Sequence, residues 1–170
     1  TLEHQQKLTT LAADNISIFL HEQELIIKSM LNTNYLPGMT EKERKMVLAK
    51  FLHSIKDVKH GPVFNQISQL NADGLEIIRV SRFELILESD LTDWESSEEF
   101  IIPVTTGNAY YSPIYFNSES GEPLIKLSLP LLDLVSSEVK GALVTEINLR
   151  GMWNLVNSLR VGITGTAFVT

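Results

Sequence analysis

The sequence predicts an α+β fold in which helices come first and an antiparallel sheet follows. Three observations predict it: a long amphipathic segment over residues 5–31, a turn signal at Asn71–Gly74, and three further strand-like segments within residues 107–149. Strands that follow one another through short polar turns pair as antiparallel hairpins. We therefore expect a long N-terminal helix followed by an antiparallel sheet that is flanked by helices.

The N-terminal third is predicted to form two helices. In the first, apolar residues recur at three- and four-residue spacing: Leu8, Leu11, Ala12, Ile16, Phe19, Leu20, Ile27, Met30 and Leu31. This stripe is wide enough to contact both the sheet and a partner helix, so our hypothesis is a homodimer along residues 5–31. Asn34–Gly38 interrupts the helix. Thr40 and Glu43 form a capping box at the start of the second helix, which is predicted to end at Gly61–Pro62.

The rest of the chain supplies the strands. They are predicted over Val63–Leu70, Leu75–Phe83, Tyr110–Phe116, Pro123–Leu129 and Gly141–Asn148, with a proline-led loop before the last. Residues 84–106 are irregular and acidic, with Trp94 and Phe100 as anchors. A connection of this length inside a domain is either functional or holds short helices. A short helix over 149–159 and a strand over 166–170 complete the prediction.

Composition excludes several classes of protein. With 170 residues, of which 44% are hydrophobic and 21% charged, the chain can fold into a globular domain with an ordinary core. Its net charge of −7 argues against nucleic acid or an anionic membrane surface as a partner. The absence of cysteine excludes disulfides, zinc–thiolate sites and cysteine nucleophiles. Both ends are expected to be cuts from a longer protein.

Motifs for catalysis and metal binding are incomplete. His21–Leu25 begins like a zinc-protease helix but has leucine where the second histidine must be. Ser137–Lys140 matches Ser-x-x-Lys without the motifs that accompany it in penicillin-recognising enzymes. The four histidines share no metal-binding spacing. We therefore expect a chain that is not an enzyme and that holds neither a metal nor a cofactor.

Five segments carry a family resemblance. They are FNQISQLNADGLEIIRV at 64–80, AYYSPIY at 109–115, PLIKLSLPLLD at 123–133, GALVTEINLRGMWNLV at 141–156 and GITGTAFVT at 162–170. In this order they resemble the double Cache (PDC) sensor family, the PAS-like extracytoplasmic modules of bacterial histidine kinases, chemoreceptors and diguanylate cyclases. The resemblance implies a PAS-like five-stranded antiparallel sheet. It also implies a leading helix over 1–36, a membrane-distal module over 37–160 and the start of a membrane-proximal module at 161–170.

The resemblance implies a function as well. We expect the periplasmic or extracellular small-molecule sensing domain of an inner-membrane receptor, tethered by segments outside this chain. A histidine kinase of a two-component system is our first assignment, and a chemoreceptor or a diguanylate cyclase is the alternative. The competing class is a Cache-like interaction domain whose pocket is filled by its own side chains. An empty polar cavity behind residues 84–108 would favour sensing, and a packed one would favour interaction.

The ligand pocket implied by the resemblance lies between one sheet face and residues 84–108. General pocket physics favours the same place, because a concave sheet face under a long loop gathers a few convergent polar groups. Which side chains reach it depends on the strand register, since a slip of one residue inverts the face. The candidate ligand-binding residues are Arg79, Arg82, Trp94, Tyr111, Ser112, Lys126, Ser128 and Glu146.

Three of these interpretations stay open. Arg79 either binds an anion, extends from a strand edge, or pairs with an acidic residue of 84–99. Lys126 faces either solvent or the pocket. The tyrosines either pack or contact the ligand, and Tyr111 is the strongest candidate because Pro113 indicates an edge or a bulge nearby.

One subgroup of the family binds amino acids through an Arg-x-Trp-Tyr motif and an aspartate on the last long strand. Here Trp94 is followed by Glu95 and has no arginine two residues before it, while Glu146 stands where the aspartate is expected. The amine-binding carboxylate is therefore retained as Glu146, but the carboxylate clamp is missing. An amino-acid ligand is not predicted.

Overall fold

The computed structural model describes residues 1–57, 61–154 and 157, and within them the predicted α+β fold is confirmed. Helix α1 spans Leu2–Thr33, a short 3₁₀ turn spans Leu36–Gly38, and helix α2 spans Glu41–Ser54. The predicted capping box is present: the Thr40 hydroxyl accepts from Glu43 N at 3.3 Å, and the Glu43 carboxylate accepts from Thr40 N at 2.7 Å.

The predicted end of α2 at Gly61–Pro62 is wrong. The helix ends at Ser54, and Ile55 is already extended, with φ −84° and ψ 108°. The chain then forms a small antiparallel pair of β1 (Lys56–Asp57) with β2 (Gly61–Pro62). Gly61 has a φ of 80°, a conformation that glycine adopts readily and that a helix excludes.

The central sheet follows the predicted order along the chain. Its strands are β3 (Phe64–Leu70), β4 (Glu76–Ser81), β5 (Tyr110–Tyr111), β6 (Tyr115–Phe116), β7 (Pro123–Leu132) and β8 (Val139–Asn148). They pair antiparallel in the order β4-β3-β8-β7-β5, and β6 also pairs with β7. The five predicted strands are therefore present, and the predicted strand Tyr110–Phe116 is divided into the two short strands β5 and β6.

Two differences from the predicted strands change the sheet most. The aromatic strand is interrupted at residues 112–114, where Pro113 has no N–H to donate. β7 continues through Pro130 to Leu132, although a loop was predicted there. The N–H and C=O of Lys126 both bond to Ser112, on the β5 side of β7. Alternate residues of a strand direct their main-chain groups to the same side, so the nitrogen of Pro130 also faces the β5 side. The first residue of β5, Tyr110, lies opposite Ser128, so β5 does not reach Pro130 and the proline removes no hydrogen bond between the two strands.

The sheet has two covered faces. The helix face packs against α1 and α2 through a core that includes Ile27, Met30, Leu48, Leu52, Ile67, Leu127, Leu143 and Ile147. The opposite face, which we call the loop face, is covered by residues 84–108. Its apolar cluster comprises Leu70, Phe100, Ala142 and Val144, with Trp94 and Val104 packed against it.

The loop segment contains short helices, one of the two alternatives that its length predicted. They are a 3₁₀ turn at Glu88–Asp90 and helix α3 at Glu98–Thr106. Residues 150–154 are helical, as predicted for 149–159. The predicted strand at 166–170 and the predicted module start at 161–170 lie outside the described residues.

Helix α1 contacts the sheet only through its second half. Its buried residues are Phe19, Gln23, Glu24, Ile27 and Met30, whereas Leu11 and Ile18 are 49% and 59% exposed. Nowhere in the described ranges is a helix both long enough and apolar enough to cross a membrane.

Candidate functional site

Strand register brings four predicted residues onto the loop face. Lys126 lies opposite Glu146, Ser128 lies opposite Val144, and Arg79 lies opposite Ser68. Because alternate residues of a strand share a face, these side chains lie on the side of the Val144 cluster. Trp94, the fifth, covers this face from above. The sheet and the loop segment thus place five of the predicted residues in one region.

Lys126 is held under the loop segment by two aromatic rings and an acid. Its Nζ lies 4.7 Å from the ring centroid of Trp94 and 5.4 Å from that of Tyr115. Glu99 Oε1 lies 3.7 Å from the same Nζ. A cation over an aromatic face is attracted by the ring quadrupole, more strongly where water is reduced. Of the two predicted environments of Lys126, the structure therefore places it toward the covered face.

Glu146 is the acceptor of the same region. Its carboxylate accepts from the Tyr115 hydroxyl at 2.6 Å and from Asn65 Nδ2 at 3.3 Å. Burial raises the pKa of Tyr115, and the hydrogen bond to Glu146 raises it further, so Tyr115 stays a donor. Tyr115 thus contacts both charges, Lys126 with its ring and Glu146 with its hydroxyl. We call Trp94, Tyr115, Lys126 and Glu146 the loop-face cluster.

Two buried polar atoms beside this cluster lack a partner. Within the part of the chain that the structure describes, neither Trp94 Nε1 nor Ser128 Oγ has a hydrogen-bond partner, and Ser128 is fully buried. A buried polar group left unpaired costs about 1–3 kcal/mol. A bound molecule that offers an acceptor would recover part of that cost.

Arg79 is paired inside its own strand. Its Nε and Nη2 reach the two carboxylate oxygens of Glu76 at 2.8 and 2.5 Å. Burial opposes ionisation of Glu76, but hydrogen bonds from Arg79, Ser68 and Thr92 hold its pKa below the usual value. The partner of Arg79 is therefore Glu76, and not an acid of residues 84–99.

Three candidates do not join the loop-face cluster. Tyr111 lies opposite Leu127 on the helix face and donates to Glu24 of α1. Ser112 Oγ accepts from Lys126 N at 2.8 Å and so attaches the end of β5 to β7. Arg82 donates to two main-chain carbonyls, Phe64 O at 3.1 Å and Leu52 O, and links α2 to β3. Register places Tyr111 on the opposite face, and the side chains of Ser112 and Arg82 are engaged with the main chain. The structure therefore does not bring these three side chains into the loop-face cluster.

Sequence reasoning missed two members of this region. Tyr115 is one of the tyrosines that the sequence leaves open between packing and ligand contact, with Tyr111 the stronger candidate. The break at residues 112–114 places Tyr115 opposite Leu124, on the face of Lys126 and Glu146. Glu99 lies in the acidic stretch, where it looked like any other surface carboxylate. Its position in the first turn of α3, directly before the buried Phe100, was the available signal.

Comparison with known proteins bears on the fold. No protein-family model matches this sequence, and no curated protein sequence matches it. Among solved structures, the ligand-binding domain of the Pseudomonas aeruginosa PAO1 amino acid chemoreceptor PctC, in complex with GABA, aligns with a TM-score of 0.70 and 16% identity. That alignment covers 94% of this chain and 66% of PctC.

This chain therefore shares its fold with the PctC ligand-binding domain. Two further similar structures agree. The Campylobacter jejuni chemoreceptor Tlp3 domain with L-valine aligns at TM-score 0.66 and 16% identity, covering 92% of this chain and 63% of that one. The Pseudomonas fluorescens CtaA domain with L-serine aligns at 0.57 and 16%, covering 85% and 57%. This chain therefore spans at most 66% of these domains, and the likeness concerns the fold alone.

Proposed function

We propose that this chain is an extracytoplasmic sensing domain of a transmembrane signalling receptor, and that it binds a small molecule between the loop face and residues 84–108. The Cache fold supports the class of protein. The loop-face cluster is the observation that carries the site, because it gathers a cation, a carboxylate and two aromatic rings under a covering segment. Pockets that bind small molecules combine apolar walls with a few such placed polar groups.

The proposed ligand is a small organic acid, with or without an amino group. Three donors on this face suit a carboxylate: the Lys126 ammonium, the Trp94 indole N–H and the Ser128 hydroxyl. Glu146 offers the complementary acceptor for a ligand amine. In this proposal Lys126 supplies the positive charge that the missing arginine clamp would supply. The structures of PctC, Tlp3 and CtaA hold GABA, L-valine and L-serine, and each of these molecules carries both charges.

The proposed parent is a chemoreceptor, with a histidine kinase or a diguanylate cyclase as the other output. The similar structures described above are chemoreceptor domains, which favours this choice over the histidine kinase of the sequence prediction. In this proposal residues 37–160 form the membrane-distal module of a periplasmic or extracellular region, and ligand binding shifts the population between two arrangements of loop and sheet.

A ligand screen followed by calorimetry tests the site. Thermal-shift screening with amino acids and small carboxylates identifies a binder, and Lys126→Met and Glu146→Gln should each weaken it at least tenfold. Lys140→Met is the matched control, since this lysine lies on β8 beside Glu138, outside the cluster. Tyr111→Phe should leave the affinity unchanged. If every binder found by the screen keeps its affinity in both Lys126→Met and Glu146→Gln, the proposed site is contradicted.

One observation favours a second candidate, a Cache-like interaction domain without a small ligand. The Lys126 ammonium itself occupies the position between the rings of Trp94 and Tyr115, so the cluster is partly satisfied by its own side chain. If this candidate is correct, the screen finds no binder. Lys126→Met then changes only stability.

We also propose that α1 pairs with a second copy along residues 5–31. Its first half carries the apolar residues Leu11 and Ile18 exposed, while its second half contacts the sheet. Sedimentation velocity of the chain at high micromolar concentration should show a dimer, and Leu11→Lys should shift it to monomer. Thr10→Lys, a neighbouring exposed position, is the control. A strict monomer at every concentration would refute dimerisation through α1.

A further inference from the structure

A cavity lies on the helix face, away from the loop-face cluster. It has a volume of about 550 Å³ and opens between the second half of α1 and strand β7. Small-molecule sites typically have volumes of roughly 300–1,000 Å³. One side of the cavity is polar, with Glu24, Lys28 and Tyr111, and the other is apolar, with Leu129 and Leu131.

The carboxylate in this cavity is already occupied. Glu24 is 9% exposed, and its two oxygens accept from the Lys28 ammonium and the Tyr111 hydroxyl. Burial opposes its ionisation, but these hydrogen bonds hold the pKa of Glu24 below its usual value. Glu24 is therefore charged, each of its oxygens already has a donor, and Lys28 balances its charge, so it attracts a further cation only weakly.

On the polar side of the cavity, the Lys28 ammonium has hydrogen-bond donors that Glu24 does not use. A lysine ammonium has three N–H donors, and Glu24 accepts only one of those of Lys28. The Lys28 side chain is 49% exposed and Lys28 lines the cavity, so a solute can reach it. Asn108 also lines the cavity. An entering molecule is thus met by a cation with donors to spare.

The apolar side selects the body of that molecule. Leu31 of α1 and Leu129 and Leu131 of β7 line the wall, and the two β7 leucines are 2% and 3% exposed. Such a surface gains free energy from covering methylene groups in proportion to the area removed from water. Because Lys28 lines the same cavity as these leucines, an alkyl carboxylate suits both parts of its lining.

We propose that this cavity is a second binding site, specific for a small aliphatic monocarboxylate. The carboxylate binds Lys28, and the alkyl chain contacts Leu31, Leu129 and Leu131. Because the cavity is lined by both α1 and the sheet, the bound molecule would bridge them. The proposal does not depend on the loop-face site, which lies on the other side of the sheet.

Calorimetric titration with sodium butyrate, pentanoate and hexanoate tests the proposal on the 170-residue chain. We expect saturable binding whose affinity rises about fourfold for each added methylene, the gain that burying one such group supplies. Lys28→Gln should weaken hexanoate at least tenfold. Lys45→Gln is the matched control and should leave hexanoate affinity unchanged, because Lys45 is equally exposed on α2, pairs with Glu41 at the same i,i+4 spacing, and lies outside both sites. Lys126→Gln is measured beside it to detect hexanoate on the loop face. Hexylamine, which has the same alkyl chain and the opposite charge, should not bind.

Methyl NMR locates the site independently of any variant. Titration with hexanoate should shift the Leu31, Leu129 and Leu131 methyl resonances and leave those of Leu70, on the loop face, unchanged. The proposal is overturned by absence of saturation, by hexylamine binding as tightly as hexanoate, or by hexanoate affinity that Lys28→Gln leaves unchanged. Loss of binding in Lys126→Gln alone would also overturn it, since hexanoate would then occupy the loop face.

Discussion

Lys126 and Glu146 lie directly opposite each other on β7 and β8, and Tyr115 contacts both of them. Lys126 is 3.7 Å from Glu99, an acid supplied by the covering segment. The two central strands therefore present opposite charges side by side, while an edge strand and a helix supply their partners. Movement of either covering element would change the pairing of both charges.

The hydroxyl of Tyr115 should stabilise the domain measurably. Tyr115→Phe removes the 2.6 Å hydrogen bond to Glu146 and leaves a half-buried carboxylate with one partner fewer. We expect a loss of about 1–2 kcal/mol in the free energy of unfolding, measured by urea denaturation. Tyr110→Phe is the matched control, because its hydroxyl bonds the exposed Glu98. Equal losses in the two variants would contradict the importance of the Glu146 contact.

Glu76 should make stability depend on pH in the acidic range. Its pKa is lowered in the folded chain, so its contribution is present above the unfolded pKa near 4.3 and is lost as pH falls through the folded pKa. Glu76→Gln should cost about 2–3 kcal/mol at pH 7, since it leaves Arg79 without its carboxylate. The variant should also lose less stability than the parent on acidification below about pH 4.5.

Denaturation of both proteins between pH 3 and 7 measures this effect. Glu41→Gln is the control, because its pair with Lys45 is solvent-exposed on α2. If Glu76→Gln and the parent lose stability in parallel as pH falls, Glu76 does not titrate as inferred.

A β-carbon at position 141 should not fit. Gly141 has a φ of 139°, and a Cβ there would lie 2.0 Å from Leu70 O. Gly141→Ala should therefore cost roughly 3 kcal/mol or more, because both the conformation and the contact with β3 are disturbed. Gly121→Ala is the matched control: its φ is 69°, but nothing lies within 4 Å of the added carbon. It should cost only about 1–2 kcal/mol. Thermal denaturation that ranks Gly121→Ala as the more damaging would contradict this geometry.

Phe100 should attach the covering segment to the sheet. Its side chain is 7% exposed in the cluster with Leu70, Ala142 and Val144. Phe100→Ala should lower the free energy of unfolding by about 3–5 kcal/mol and speed hydrogen exchange in α3. Ile101→Ala, at a position that is 42% exposed, should have a small effect on both measurements. Unchanged exchange in α3 after Phe100→Ala would show that other contacts hold the segment.

The helices and most of the sheet could be predicted because their signals are local. The Thr40 capping box and the Asn71–Gly74 turn depend on residues within four positions of each other, and both occur as predicted. The end of α2 could not be predicted in the same way. It is determined by pairing of Lys56–Asp57 with Gly61–Pro62, and a two-residue strand leaves no periodic pattern.

The grouping of the candidate residues was predicted in part, for a reason of geometry. Lys126, Ser128 and Glu146 lie in uninterrupted strands, so their alternation places them together. Tyr111 and Tyr115 are separated by a break, and alternation cannot be counted across irregular backbone. The pairing of Arg79 with Glu76 likewise depends on the register shift between Gln69 and Leu70. No local sequence pattern predicts that shift.

The burial pattern of α1 has a mechanical consequence. Phe19 is the first buried residue of the helix, so the preceding residues form a lever arm with a pivot at that ring. At 1.5 Å per residue the arm from Phe19 to Thr1 is about 27 Å long. Each degree of tilt at the pivot therefore displaces its tip by roughly half an ångström. If a small rearrangement at Glu24 tilts the helix by ~10° at Phe19, Thr1 moves by several ångströms while the core stays in place.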